Sequence, residues 1–486
     1  MDVEPRLLVD GKLVPAATGR TYDNINPYTE AVLGSAPDAG PDDTDAALAA
    51  ARRAFDATDW SRDHAFRAHC LRQLQTVFRA NAERLREVLL DEVGCPVFMT
   101  RQLQLDATID EIEYWAGLAE NYPFETSMPP VTSPGGTNNR TVLREAVGVV
   151  AAIVAYNYPF QQIMLKLGPA LAAGNTVVLK PSPLTPWTAN LVAALATETD
   201  LPPGVLNILT SAGDEVGRTI TSDPRVDLVA FTGSTAVGRA IMAAAAPTVK
   251  NLVLELGGKS ANVVLDDADI EATVRANVVR VSRHSGQGCS NLTRLLLPRS
   301  RYEEGLEIAA ATALQIPWGD PRDERTHMGP LISAAQRASV LARVERGLAE
   351  GGRLVAGGHA IGDHGYFVEP TVIADVDPDA SLAQEEVFGP VLAVIPYDTD
   401  DEAVAIANNS VFGLAGAVAS ADQDRAVRIA RRLRTALVDV NGATYYSVDT
   451  PRGGIRQSGV SDEYGVPGLE AYLETRIIST PATPGA

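Results

Sequence analysis

Residues 147–181 read VGVVAAIVAYNYPFQQIMLKLGPALAAGNTVVLKP. VGVVAAIVA is a continuous apolar run, the pattern of a strand covered on both faces. FQQIMLKLGPALAAG has helical character and stops at Gly174, the residue type that most readily closes a helix. NTVVLKP is again an apolar strand. A strand, a helix and a second strand of these lengths make the unit from which parallel sheets are built.

The alternation continues downstream. TPWTANLVAALATET reads as a helix with Thr185 as its N-cap, and GVLNILT as a strand. GDEVGRTITS reads as a short helix, VDLVAF as a strand, STAVGRAIMAAAA as a helix and NLVLEL as a strand. The expected fold class is therefore α/β, with a doubly wound, Rossmann-type parallel sheet. After Gly258 a second strand–helix set begins, including ANVVLDD, RLLLPRS, RLVAGG, VLAVIPY, GLAGAVAS and ALVDVNG, and it reads as a second α/β domain.

Upstream, the pattern predicts helices from Asp43 to Val93. LRQLQTVFRANAERLREVLLDEV reads as a single amphipathic helix stopped by Gly94-Cys95-Pro96. Another helix is expected over Gln102 to Asn121. PFETSMPPVTSPGGTNN, rich in Pro, Ser, Thr and Gly, reads as a loop, boundary or arm with no core pattern of its own. LEAYLETRIIST reads as a strand near the C-terminus.

The 486 residues, 45% hydrophobic and 21% charged, suit a globular enzyme with a large core. The formal charge of −20 comes with no basic stripe, which argues against a nucleic-acid partner. The 3 cysteines, Cys70, Cys95 and Cys289, form no C-x-x-C pair. They suggest a reducing compartment and neither a disulfide framework nor a zinc site. Met1 to Pro5 carry no basic n-region, and the longest apolar run, Ala146 to Tyr156, is far short of the roughly twenty residues a membrane span needs. A cytoplasmic protein is expected. His359, Asp363 and His364 lie close together without a third strong ligand in view, so no metal site is expected.

Four stretches could carry chemistry. Cys289 in SGQGCSN is flanked by small residues that would let a substrate carbon approach a thiolate. Glu255, thirty-four residues earlier in LELGGKS, ends a strand, where open α/β sheets bind ligands. FTGSTAVG, from Phe231 to Gly238, joins a strand to a helix whose N-terminus favours phosphate. Asn157 in YNYPF offers a neutral amide donor suited to an oxyanion. Each of these alone would pass for a structural feature.

Taken together and in this order, YNYPF, LKPSPLTP, FTGSTAVG, LELGGKS, GQGCS, MGPLI, EEVFGPVL, NNSVFGLAGAV and GGIRQSG resemble the aldehyde dehydrogenase superfamily. The resemblance runs from INPYTE near Asn26 to about Ile478 and covers nearly the whole chain. It implies NAD(P)-dependent oxidation of an aldehyde through a thiohemiacetal on Cys289 and a thioester hydrolysed by water. In that mechanism Asn157 and the Cys289 backbone N–H hold the oxyanion, Glu255 is the base, and Lys166 with Glu463 form a proton relay.

For the cofactor, NAD or NADP, the resemblance implies that Lys180 contacts the adenine ribose, beside Ser182. Gly233 and Ser234 lie by the pyrophosphate. Gly257 is placed nearby, and Glu386 and Phe388 hold the nicotinamide ribose and ring. The substrate tunnel would be lined by Tyr158, Gln161, Gln162, Leu165, Gly288, Ser290, Tyr446 and Arg452. The implied division is a dinucleotide-binding domain over 1–124 and 145–255, a catalytic domain over 256–457, and an oligomerisation arm over 125–144 and 465–486. A homodimer or homotetramer follows from pairing of the C-terminal strand across subunits in relatives.

The chain departs from the family pattern at several points. Pro183 replaces a glutamate that binds the adenine ribose, which leaves NADP open. Ala155-Tyr156-Asn157 replaces Pro-Trp-Asn, Ser461 and Asp462 replace Gly and Arg, and Cys95 replaces a lysine and is read as structural. Arg452 stands where an aromatic residue is common. It is a candidate reader of a substrate carboxylate, against the alternative of pointing to solvent or to a neighbouring subunit. A CoA-acylating semialdehyde dehydrogenase is the enzymatic rival, but such relatives commonly lack the glutamate present here as Glu255. An inactive structural relative is the rival outside enzymes.

Overall fold

The computed structural model describes residues 5–482. The first four residues of the Met1 to Pro5 segment, and the outer ends of the expected division at 1–4 and 483–486, lie outside the described residues. Among those described, no helix is long and apolar enough to cross a membrane.

The opening stretch folds as its pattern dictates. Val149–Ile153 and Thr176–Lys180 pair in parallel with register Val149↔Thr176 to Ile153↔Lys180. Helix Pro159–Ala173 crosses between them and is buried on every side, which explains its nearly unbroken apolar sequence. It ends at Gly174, whose φ of 98° is left-handed.

The full sheet has the order Lys12–Val14, Leu7–Val9, Leu206–Ile208, Thr176–Lys180, Val149–Ile153, Leu228–Thr232, Asn251–Glu255, Gly459–Val460. The five middle strands run parallel. The last strand is contributed from far along the chain: Gly459–Val460 adds antiparallel to Leu254 and Glu255. That late return carries the segment from Arg452 to Glu463 to the end of the strand bearing Glu255.

The second sheet has the order Arg353–Ala356, Thr371–Ala374, Val391–Tyr397, Arg294–Pro298, Ala261–Val264, Ala415–Ala419, Leu437–Val440 and is parallel except at its first strand. A third sheet stands apart, with Gly136–Ala146 between Glu125–Ser133 and Leu473–Pro481. Helix Gly465–Glu470 belongs with the first sheet's core, where Leu469 and Tyr472 are buried, and the chain enters the third sheet only at Leu473.

The structure corrects two local expectations and gives a third stretch its form. The single helix expected over Leu71 to Val93 is two, His64–Ala80 and Ala82–Glu92, broken at Asn81. The Asn81 side chain donates to Val77 O (3.0 Å) and accepts from Arg84 (3.0 Å), so its amide competes with the helical ladder. The Pro-rich stretch after Pro123 forms strand Glu125–Ser133, exposed throughout, so it pairs without joining a core.

Thr185 precedes helix Pro186–Ala196 but makes no capping bond. The cap comes from Glu92, fully buried, whose carboxylate accepts from Trp187 N (2.8 Å), Thr188 N (2.7 Å) and Asn24 Nδ2 (3.0 Å). A local sequence window could not reveal a cap supplied from ninety-odd residues away. Glu92→Leu is expected to lower unfolding stability by about 3 kcal/mol or more, because each orphaned buried donor costs ~1–3 kcal/mol. Urea denaturation checks this, and an unchanged midpoint would rule the cap out.

Candidate active site

Three loops deliver the chemical groups. Asn157 lies between strand Val149–Ile153 and helix Pro159–Ala173. Its amide is fixed on both sides: Nδ2 donates to Gln287 O (2.9 Å) and Oδ1 accepts from Gln162 Nε2 (2.7 Å). Its carbonyl accepts from Gln104 Nε2 (2.8 Å) and from His284 Nε2 (2.8 Å), so His284 carries its ring proton on Nε2. An amide held this firmly needs no reorganisation to meet a developing oxyanion.

Cys289 follows a sharp turn after helix Ile270–Ser282. His284 and Ser285 both adopt left-handed φ (53° and 52°), which bends the chain inward. Such backbone is uncommon for residues with side chains and is held here by burial of both. Cys289 Sγ donates to Glu255 Oε1 at 3.7 Å. Glu255 ends its strand in register with Thr232 on one side and Gly459 on the other.

Exposure and the neighbouring Arg452 separate Cys289 from the other two thiols. Cys70 and Cys95 are fully buried, and burial pushes both up to about 12. Cys289, partly exposed at a cavity, is also pushed up to about 12 by burial and then by Glu255, but Arg452 opposes the shift. Burial pushes the Glu255 carboxyl up to about 7; Arg452 pulls it back and Glu463 adds to the rise. A carboxyl that titrates near neutrality is suited to taking and returning a proton.

The cavity over Cys289 has a volume of ≈ 120 Å³. Its walls bring together the expected Asn157, Tyr158, Gln161, Gln162, Leu165, Glu255, Gly288, Cys289, Ser290, Tyr446, Arg452 and Glu463. It also includes Leu103, Thr232, Asn291 and Tyr445, which sequence reasoning missed. Leu103 could not have been found locally, whereas Asn291 and Tyr445 adjoin residues already singled out. Lys166 lies behind the wall, fully buried and ion-paired with Glu463. The alternative placing Arg452 in solvent is overturned: its side chain is only 14% exposed and faces Cys289 and Glu255.

The cofactor candidates collect at the carboxyl ends of the parallel strands. Lys180 ends Thr176–Lys180, and burial pushes its ammonium down to about 8 against the nearby charges of Asp214 and Asp38. Ser182 Oγ accepts from Leu184 N (3.2 Å) at the turn that follows. Gly233 and Ser234 begin helix Thr235–Ala245, with Ser234 as its N-cap accepting from Val237 N (3.3 Å). Glu386 and Phe388 reach across from the second sheet's side. Glu386 Oε1 accepts from Gly258 N (3.1 Å), and the Phe388 ring stands edge-on to Tyr156.

These residues fit a dinucleotide. A Cβ at Gly257 would stand 2.3 Å from Glu386 Oε2, and one at Gly233 would stand 2.4 Å from the Phe231 ring, so glycine is the residue that fits at both places. A helix N-terminus and a lysine to donate to the pyrophosphate and ribose, with a carboxylate to accept from ribose hydroxyls, are the groups such a cofactor requires.

A doubly wound sheet with a dinucleotide cleft, opening beside a cysteine that shares a proton with a buried glutamate, defines a nicotinamide-dependent oxidoreductase that works through a covalent thioester. Comparison with known proteins agrees, and residues 13–478 match the family described as "Aldehyde dehydrogenase family". The chain belongs to the aldehyde dehydrogenase family.

It is 40% identical to 3-succinoylsemialdehyde-pyridine dehydrogenase from Pseudomonas sp, over 97% of each chain. It is 37% identical to betaine aldehyde dehydrogenase from Bacillus subtilis, over 99% of this chain and 98% of that one. Among solved structures, betaine aldehyde dehydrogenase from Staphylococcus aureus in complex with NAD+ superposes with a TM-score of 0.96 at 35% identity, covering 100% of this chain and 96% of that one. A cysteine-to-alanine mutant of an aldehyde dehydrogenase from Pseudomonas syringae, with NAD+ and octanal, gives 0.92 at 38% identity, covering 98% and 96%. The chain is an NAD(P)-dependent aldehyde dehydrogenase with a cysteine nucleophile.

Proposed function

We propose that the chain oxidises its aldehyde hydrolytically, with Cys289 as nucleophile, Glu255 as general base and Asn157 as oxyanion donor. The observation that carries this assignment is the Cys289–Glu255 hydrogen bond of 3.7 Å on the wall of a cavity that the Asn157 amide also lines. Sγ attacks the carbonyl carbon as its proton passes to Glu255. The carbonyl electron pair moves to oxygen, to which Asn157 Nδ2 and the Cys289 N–H donate hydrogen bonds. A bound nicotinamide would accept the hydride that leaves this adduct. Glu255 first gives up the thiol's proton by way of the Lys166–Glu463 pair, which acts on it; again a carboxylate, it then takes a proton from the water that opens the thioester, and Cys289 leaves as the thiolate. Lys180, Ser182, Gly233, Ser234, Gly257, Glu386 and Phe388 would hold the cofactor.

The test is reduction of NAD and of NADP with a panel of aldehydes, without CoA. Strict dependence on CoA would overturn the hydrolytic reading.

Glu255 sets the acid side of the pH profile. Its protonated form cannot accept a proton, and with a value near 7 that form dominates below neutrality. Turnover is therefore expected to fall about tenfold per pH unit below roughly pH 7 and to level off above it. A profile flat from pH 5 to 8 would remove Glu255 as the base.

The third sheet supports homo-oligomer formation. It presents Ile477 (64% exposed) and Ile478 (45%), and among the described residues the second sheet ends on the edge strand Leu437–Val440 beside an open groove. Light scattering of the purified chain tests this, and a monomer mass would contradict it.

A further inference from the structure

Cys289 and Glu255 share one proton across 3.7 Å, and only one of them can be neutral through its possession. Arg452 faces both holders with the same nitrogen. Its Nη2 lies 3.8 Å from Cys289 Sγ and 4.0 Å from Glu255 Oε1. When the proton sits on sulfur, Nη2 meets a carboxylate; when it sits on Glu255, Nη2 meets a thiolate. A guanidinium stays charged throughout.

The residue is anchored at its backbone and flanked at its guanidinium. The Arg452 carbonyl accepts from Glu463 N at 2.7 Å, and its guanidinium lies 5.5 Å from the Tyr446 ring centroid. Lys166 also acts on Glu255, but it is committed to Glu463 in a buried pair. Arg452 has no ion pair with any carboxylate closer than Glu255 among the described residues.

Resting on the assignment of Cys289 and Glu255 above, we propose that Arg452 is a further catalytic residue: the counter-ion that stabilises whichever member of the Cys289–Glu255 couple has lost the shared proton. The thiol's proton can then reach Glu255 without leaving an unpaired charge in a buried site. The placement also separates this role from substrate recognition. A guanidinium beside the attacking sulfur meets the reacting end of an aldehyde, whereas a carboxylate several carbons away would extend up the cavity. Other ionisable groups acting on the couple are Glu386 and Glu463, which raise the thiol further, and Tyr158 beside it.

The test reads the thiol directly. The rate of Cys289 alkylation by iodoacetamide is followed against pH, without substrate, by mass of the Cys289 peptide. Arg452→Gln and Arg452→Met remove the charge, the second keeping an apolar stem against Tyr446; Arg452→Lys retains the charge. Folding of each variant is verified by circular dichroism, so either neutral variant suffices.

Alkylation of the neutral variants is expected to be at least about tenfold slower at neutral pH, with the profile displaced upward by about one unit or more, and Arg452→Lys should recover most of the loss. Profiles that superimpose on wild type for a folded neutral variant would overturn the proposal. So would unchanged alkylation together with loss of turnover confined to succinic semialdehyde and not hexanal, which would make Arg452 a substrate reader. If wild-type Cys289 itself does not alkylate while turnover persists, the nucleophile assignment fails, and not the role of Arg452 alone.

Discussion

Cys289→Ala is expected to lower kcat by about 10⁴-fold or more while leaving NAD binding intact. The loss follows from the covalent route. Without sulfur, no thiohemiacetal forms, and neither the Asn157 amide nor Glu255 has an adduct to act upon. The substitution removes one partly exposed atom from a small cavity, so the fold should be nearly undisturbed. The natural controls are the other two thiols. Cys70 and Cys95 are fully buried, Cys95 Sγ contacts Leu89 O at 3.8 Å, and neither lies on the cavity. Cys95→Ala should cost stability, about 1 kcal/mol from lost packing, and leave kcat within a few-fold. Steady-state kinetics and cofactor titration on both variants measure the contrast. Residual turnover of Cys289→Ala near that of Cys95→Ala would remove Cys289 as the nucleophile.

The parallel sheets were legible because their strands are apolar on both faces and their helices have the right length. Glycine marked the left-handed close of helix Pro159–Ala173 at Gly174. Less visible was what depends on contacts distant in the chain. The Glu92 cap on helix Pro186–Ala196 and the addition of Gly459–Val460 to the strand of Glu255 arise from packing that no local period records. Asn81 was overlooked for the opposite reason: its side chain acts locally, but within a helical pattern strong enough to hide it.

At the site, spacing and order brought Cys289, Glu255 and Asn157 together, and the geometry joins them in one cavity. What sequence could not fix was direction. Arg452 followed by two glycines was open between solvent, a partner and a substrate. In the fold its guanidinium lies against the Tyr446 ring and reaches the thiol. The family resemblance did not reveal this, since relatives often place an aromatic residue there.

The second large effect concerns the fate of the thioester. Glu255→Gln should preserve the shape of the site while removing its base. The steady-state rate without CoA is expected to fall by about 10²–10⁴-fold. Acylation needs only one turnover per cysteine, so a burst of reduced nicotinamide near one equivalent per chain should precede the slow phase. The burst should itself be slower than in wild type, because Glu255 also receives the thiol proton at 3.7 Å. Rapid mixing separates the two phases. A stalled acyl-enzyme that turns over on addition of a small thiol would place the defect in water activation, since a thiol can attack the thioester without that base. A steady state equal to wild type would mean that another group activates water. Among the cavity carboxylates that would leave Glu463, which is already committed to buried Lys166 in an ion pair.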